Sequence, residues 1–122
     1  MIAHLSIGVR DMQRARKFYD AALAPLGYRC RVPGDEAAGY GAGSADFWLL
    51  KTESPVPADP KSGLHVCFSA PDRAAVDAFH KAALAAGGAD NGKPGIRAEY
   101  DPNYYAAFVI DPDGYRIEAH RG

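Results

Sequence analysis

Apolar residues alternate with polar or small ones through His4-Leu5-Ser6-Ile7-Gly8-Val9, and the alternation returns in Leu64-His65-Val66-Cys67-Phe68-Ser69. A period of two over that length predicts a strand with one buried face. Beyond each strand the period changes. Ala15, Phe18 and Ala22, and later Val76, Phe79 and Ala83, recur at helical spacing and mark a narrow apolar stripe suited to a helix lying on a sheet. Asp11 and Asp72 precede the two stripes, where a carboxylate accepts free amide hydrogens and suits the positive end of the helix dipole. Pro25 with Gly27 stops the first helix and Gly87-Gly88 the second. The remainder reads as extended, with strands predicted near 28–32, 37–40 and 46–51, then 96–100, 104–111 and 115–120. Asp111-Pro112-Asp113-Gly114 is a turn with a mechanism, since proline presets φ and glycine supplies a positive φ. Residues 87–95 are expected to be irregular.

The two halves are one unit repeated. Sliding the 122-residue sequence by half its length places His4 on His65, Asp11 on Asp72, Ala15 on Val76, Phe18 on Phe79, Ala22 on Ala83 and Gly27 on Gly88, without a gap. The predicted fold is therefore α+β: two tandem βαβββ modules in a single domain, forming a curved, half-open mixed sheet or barrel with helices on its outer face. Module one covers about 1–54 and module two about 64–122. The Pro55, Pro57 and Pro60 stretch, about 55–63, links them. A ligand would enter the concavity.

Strand parity selects what faces that concavity. His4, Ser6 and Gly8 share one face of the first strand, and His65, Cys67 and Ser69 share the matching face of its repeat. In the last strand Ile117 is the helix-facing residue, so Arg116, Glu118 and His120 point the other way. His4, His65 and Glu118 then form two imidazoles and a carboxylate on adjacent strands. Such a set suits Fe, Mn, Ni, Co or Zn with coordination positions left open for a substrate. Trp48 and Tyr40 supply aromatic walls from the first half, and Tyr100, Asn103, Tyr104 and Tyr105 a polar aromatic cluster from the second. Tyr105 is the candidate acid or base beside Glu118, although Tyr104 and Tyr105 cannot both face inward. Arg116 is a candidate partner for an anionic substrate. Arg97 reads as an exposed ion pair, His80 and His120 as surface histidines, and Cys67 as a small core residue.

Composition narrows the partners. Fourteen Lys and Arg against fifteen Asp and Glu give a net charge of -1 with no run of either sign, so neither a nucleic-acid footprint nor a polybasic membrane anchor is present. No apolar stretch approaches the length of a membrane span, and no secretory leader is legible at the N-terminus, so a cytoplasmic protein is expected. Cys30 and Cys67 are the only cysteines, which argues against a disulfide scaffold or a zinc ribbon. At 48% hydrophobic the chain can bury a core.

A histidine opening each module, with Asp-Pro-Asp-Gly then Ile117-Glu118 closing the second, resembles the vicinal oxygen chelate superfamily of glyoxalases, bleomycin-resistance proteins and extradiol dioxygenases, over the whole chain. The resemblance implies metal ligands from the first and last strands of each module, here His4, His65 and Glu118. It also implies a two-fold homodimer. Aligning Phe47 with Ile117 puts Trp48 where glyoxalase I-like members carry a fourth ligand, which points to a three-ligand relative. The expected function is a divalent-metal-dependent isomerase, lyase or ring-cleaving dioxygenase acting on a small oxygen-chelating substrate. The alternative is a metal-free protein that binds a small molecule or an antibiotic without catalysis. A dimeric scaffold with a vestigial cavity is a third reading.

Overall fold

The structure is a computed structural model that describes residues 1–122. Module one runs β1 (Leu5–Val9), α1 (Met12–Leu23), a 3-10 turn at Ala24–Leu26, β2 (Arg29–Val32), β3 (Ala37–Gly41) and β4 (Phe47–Lys51). Module two runs β5 (His65–Ser69), α2 (Arg73–Ala85), β6 (Ala89–Ile96), β7 (Tyr105–Ile110) and β8 (Arg116–Arg121). Each forms its own four-stranded mixed sheet, ordered β1-β4-β3-β2 and β5-β8-β7-β6, so the duplication holds down to topology. The sheets do not close into a barrel.

Both helices begin where the acidic caps predict. Asp11 accepts the Arg14 amide at 3.0 Å and Asp72 the Ala75 amide at 2.8 Å, and each cap is worth about 1 kcal/mol. The first helix tightens into the 3-10 turn at Pro25 and stops at Gly27, whose φ of 88° is left-handed. The stripe residues Ala15, Phe18, Ala22, Val76, Phe79 and Ala83 are fully buried. They join a single core that spans both modules, because α1 and α2 pack against one another as well as on the sheets.

Polar ties also join the elements. The Tyr19 hydroxyl on α1 donates to Asp111 Oδ2 at 2.6 Å, pinning the turn before β8 to module one. His80, expected at the surface, is only 8% exposed and its Nε2 lies 2.8 Å from Asp90 Oδ1, tying α2 to β6. The helical stripe alone does not reveal that β6 passes over this side of α2.

One strand lies elsewhere than predicted. Residues 97–100 turn back toward β7, and the strand is Ala89–Ile96, almost all of it in the stretch expected to be irregular. Asn91-Gly92-Lys93-Pro94-Gly95 combines asparagine, glycine and proline, residue types that disfavour a strand. It is tolerated because β6 is the sheet edge, paired only with β7, and its register slips between Asp90 and Gly92 and again between Gly92 and Gly95. No helix is long and apolar enough to cross a membrane.

Candidate functional site

The face of the second sheet turned away from α2 carries the polar cluster. Parallel pairing of β5 with β8 sets Cys67 opposite Glu118, and antiparallel pairing of β7 with β8 sets Phe108 on the other side of Glu118. His65 Nε2 lies 2.7 Å from Glu118 Oε1, and the Tyr104 hydroxyl donates to Glu118 Oε2 at 2.6 Å. Both carboxylate oxygens are thus engaged, and Glu118 is 4% exposed. An open depression of about 450 Å³ surrounds the cluster, lined by His65, Tyr100, Tyr104, Phe108, Arg116 and Glu118.

Aromatic contacts hold these groups in place. Tyr104 stacks on His120 at 3.9 Å and meets Tyr100 edge-on at 5.0 Å, while Phe108 lies 5.9 Å from the His65 ring. Burial and donation to Glu118 raise the Tyr104 hydroxyl above the ordinary phenol range, so it keeps its proton through neutral pH. Burial and the same carboxylate push the Cys67 thiol up to about 12, which makes it a poor nucleophile.

Of the metal-ligand candidates, the fold brings His65 and Glu118 together and leaves His4 apart. His4 is exposed, directly before β1, and does not line the depression. No three or more His, Cys, Asp or Glu side chains of one chain gather to hold an ion. The imidazole and carboxylate have the right donor chemistry, but one copy offers two of the three ligands that the sequence predicts.

The other expectations divide by strand face. Tyr105 points to α2, where its hydroxyl donates to Asp77 at 2.5 Å, so the tyrosine at the carboxylate is Tyr104. Tyr40 is 1% exposed and donates to Asp20 on α1 at 2.7 Å, because β3 turns it under the helix rather than into an aromatic wall of the depression. Trp48 lies on the open face of the first sheet, its indole N–H donating to the Ala45 carbonyl at 3.0 Å. Its register partner is Ser6, just as Cys67 partners Glu118, so Trp48 does occupy the place equivalent to Glu118. Tyr100 lines the depression and Asn103, exposed in the preceding turn, does not. Cys67 belongs to the open face, and His120 packs on Tyr104 rather than standing free in solvent.

Tyr104 is the functional candidate that sequence reasoning left unassigned. Its signal was present: the Asp111–Gly114 turn makes Ile110 pair with Arg116, which carries Phe108 to Glu118 and Ala106 to His120. The next residue of that parity is Tyr104.

A second, apolar groove of about 720 Å³ runs between the modules, with Met1, Ile2, Leu5, Tyr28, Phe47 and Phe68 along it. Met1 and Ile2 are exposed.

The profile of the Glyoxalase/Bleomycin resistance protein/Dioxygenase superfamily matches residues 1–119. Among solved structures, a glyoxalase/bleomycin resistance protein from Albidiferax ferrireducens T118 is 33% identical with a TM-score of 0.84, over 97% of this chain and 96% of that one. Two more distant structures share the fold. The fosfomycin resistance protein FosX from Mesorhizobium loti is 19% identical at a TM-score of 0.72, over 100% of this chain and 92% of that one. A glyoxalase/bleomycin resistance protein/dioxygenase family enzyme from Burkholderia phytofirmans PsJN is 18% identical at 0.71, over 98% and 96%. No curated protein matches.

Proposed function

The chain belongs to the glyoxalase/bleomycin resistance protein/dioxygenase superfamily, and we propose that it is a divalent-metal-dependent enzyme acting on a small substrate that chelates the ion through adjacent oxygens. The observation that carries this reading is the Glu118 carboxylate, buried on the open face and held between His65 at 2.7 Å and Tyr104 at 2.6 Å. Burying a carboxylate is costly unless it is partnered, and an imidazole and a carboxylate side by side are two ligands of an open site. His65 and Glu118 would hold the ion, with His4 supplied by a second copy of the chain. Two features support that second copy: His4 stands free in its own chain, and an apolar groove edged by exposed Met1 and Ile2 lies beside it.

When bound, the ion would polarise the substrate's adjacent oxygens and stabilise charge developing on them. The chain supplies the rest. Tyr104 fixes the orientation of Glu118 and carries a proton at neutral pH. Phe108 and Tyr100 make the walls of the depression, and Arg116 adds positive charge. Isomerase, lyase and ring-cleaving dioxygenase reactions all fit this arrangement, since fold and ligand set are shared among them.

Elemental analysis of protein purified without chelators or a nickel column is expected to find a stoichiometric divalent ion, lost in His4→Ala, in His65→Ala and in Glu118→Gln. Mixing His4→Ala with His65→Ala chains should restore part of it, because a mixed dimer contains one intact site. Wild-type protein without an ion, together with a ligand affinity unchanged by His4→Ala, overturns the enzyme. That result selects the second reading, a protein that binds a small molecule without catalysis, which Trp48 favours by standing where a further ligand would be.

A further inference from the structure

We propose that the site takes a substrate bearing an oxyanion group, carboxylate or phosphate-like, and that Arg97 together with Arg116 reads this charge. The inference rests on the open face of module two being the substrate site and goes beyond it by naming a substrate class. The sequence pointed to an exposed ion pair for Arg97, but neither arginine has a carboxylate within ion-pair distance. The chain's close basic–acidic side-chain contacts are Arg14 with Asp113 and the two imidazole–carboxylate hydrogen bonds, His65 with Glu118 and His80 with Asp90.

Backbone carbonyls position both guanidinium groups instead. Arg116 donates through Nε and Nη2 to the Leu64 carbonyl at 3.3 and 3.2 Å, and Arg97 Nη2 donates to the Lys93 carbonyl at 2.6 Å. A carbonyl fixes a guanidinium's orientation without neutralising it, which leaves the charge and the remaining N–H groups for a ligand. Arg97 lies over the Phe108 ring, 5.3 Å from its centroid, and Phe108 lines the depression next to His65 and Arg116.

The irregular edge strand makes this arrangement possible. Arg97 folds back over β6 at its two glycines. A Cβ at Gly92 would lie 3.3 Å from Arg97 Nη2 and 2.9 Å from Phe108 Cδ1, and a Cβ at Gly95 would lie 3.2 Å from Arg97 Nη1. Both positions are bare where the guanidinium rests, so Asn91-Gly92-Lys93-Pro94-Gly95 shapes the bed for a cation. Within the depression the only carboxylate, Glu118, already has both oxygens engaged. Arg116 lines the depression and Arg97 borders it over the Phe108 ring, so an oxyanion bound there would draw on two guanidinium groups that have no carboxylate partner.

The test titrates inorganic phosphate and, separately, malonate into the full chain at constant ionic strength, both as purified and after dialysis against a chelator. The Arg97 and Arg116 Nε–H resonances are followed by NMR. Saturable shifts at both arginines are expected in both preparations, with affinity falling about tenfold in Arg97→Gln and in Arg116→Gln, as for a lost charged hydrogen bond. The relative affinities for phosphate and malonate distinguish the two oxyanion classes. Gly95→Ala keeps the charge but crowds it, and should weaken binding while thermal denaturation shows a folded protein. No saturable shift, or affinity unchanged in Arg97→Gln, overturns the proposal. Binding confined to the undialysed protein and insensitive to Arg97→Gln does so too, and in that case the metal site stands. Arginine-dependent binding in a chain that carries no ion instead supports the oxyanion site and counts against the metal.

Discussion

The two neighbouring tyrosines show how much one residue of register matters. Tyr104 and Tyr105 have the same chemistry and adjacent positions, yet one holds the Glu118 carboxylate and the other an aspartate of α2. Tyr104→Phe removes a donor to a carboxylate that is expected to ligate the ion. Metal affinity, measured by competition with a chromogenic chelator, should fall about tenfold or more, as for other groups that orient a ligand. Tyr105→Phe should leave metal affinity unchanged and lower the melting temperature slightly, through the lost Asp77 contact. Composition names the tyrosine cluster, but only the pairing of β7 with β8 selects the member that reaches Glu118.

Between elements, the Tyr19 to Asp111 hydrogen bond joins α1 of the first module to the turn before β8 of the second. Asp111 also accepts the amides of Asp113 and Tyr115 at 2.9 and 2.8 Å. Removing the Tyr19 donor leaves a buried carboxylate short of a partner, so Tyr19→Phe should destabilise the fold by about 1–3 kcal/mol in chemical denaturation. Burial raises Asp111 above the ordinary carboxylate value, and its hydrogen bonds only partly offset this. A raised value means that the folded chain binds this proton more tightly than the unfolded chain does. The Asp111 contribution is therefore most unfavourable at pH above the folded value. It is relieved as pH falls through that value toward the unfolded one. In Asp111→Asn that part of the pH dependence should vanish, which melting temperatures across the acid range will show. The Asp-Pro-Asp-Gly turn is legible in the sequence as a turn. Its role as a strut between modules is not, because Tyr19 comes from a helix 92 residues earlier.

For the whole molecule, the proposed metal site needs a second copy of the chain, because His4 lies apart from His65 and Glu118. A homodimer is expected by sedimentation equilibrium. Ile2→Glu places a charge in the apolar groove and should shift the protein toward monomer, with loss of bound metal in parallel. Monomer that retains a full complement of metal would show that His4 is no ligand.

The sequence alone determined the duplication, the caps and stripes of both helices, the face on which His65 and Glu118 lie, and the equivalence of Trp48 to Glu118. The caps, stripes and faces depend on periods within a dozen residues, which local sterics and amide geometry enforce, and the duplication on a match between the two halves of the chain. Tertiary structure decided the rest. The edge position of β6 turned a glycine-rich interruption into a strand and a bed for Arg97. The register of β7 on β8 chose Tyr104 over Tyr105, and helix packing buried Tyr40 and His80. These outcomes depend on contacts between residues far apart in the chain, whose partners are selected only when the sheets and helices close on a common core.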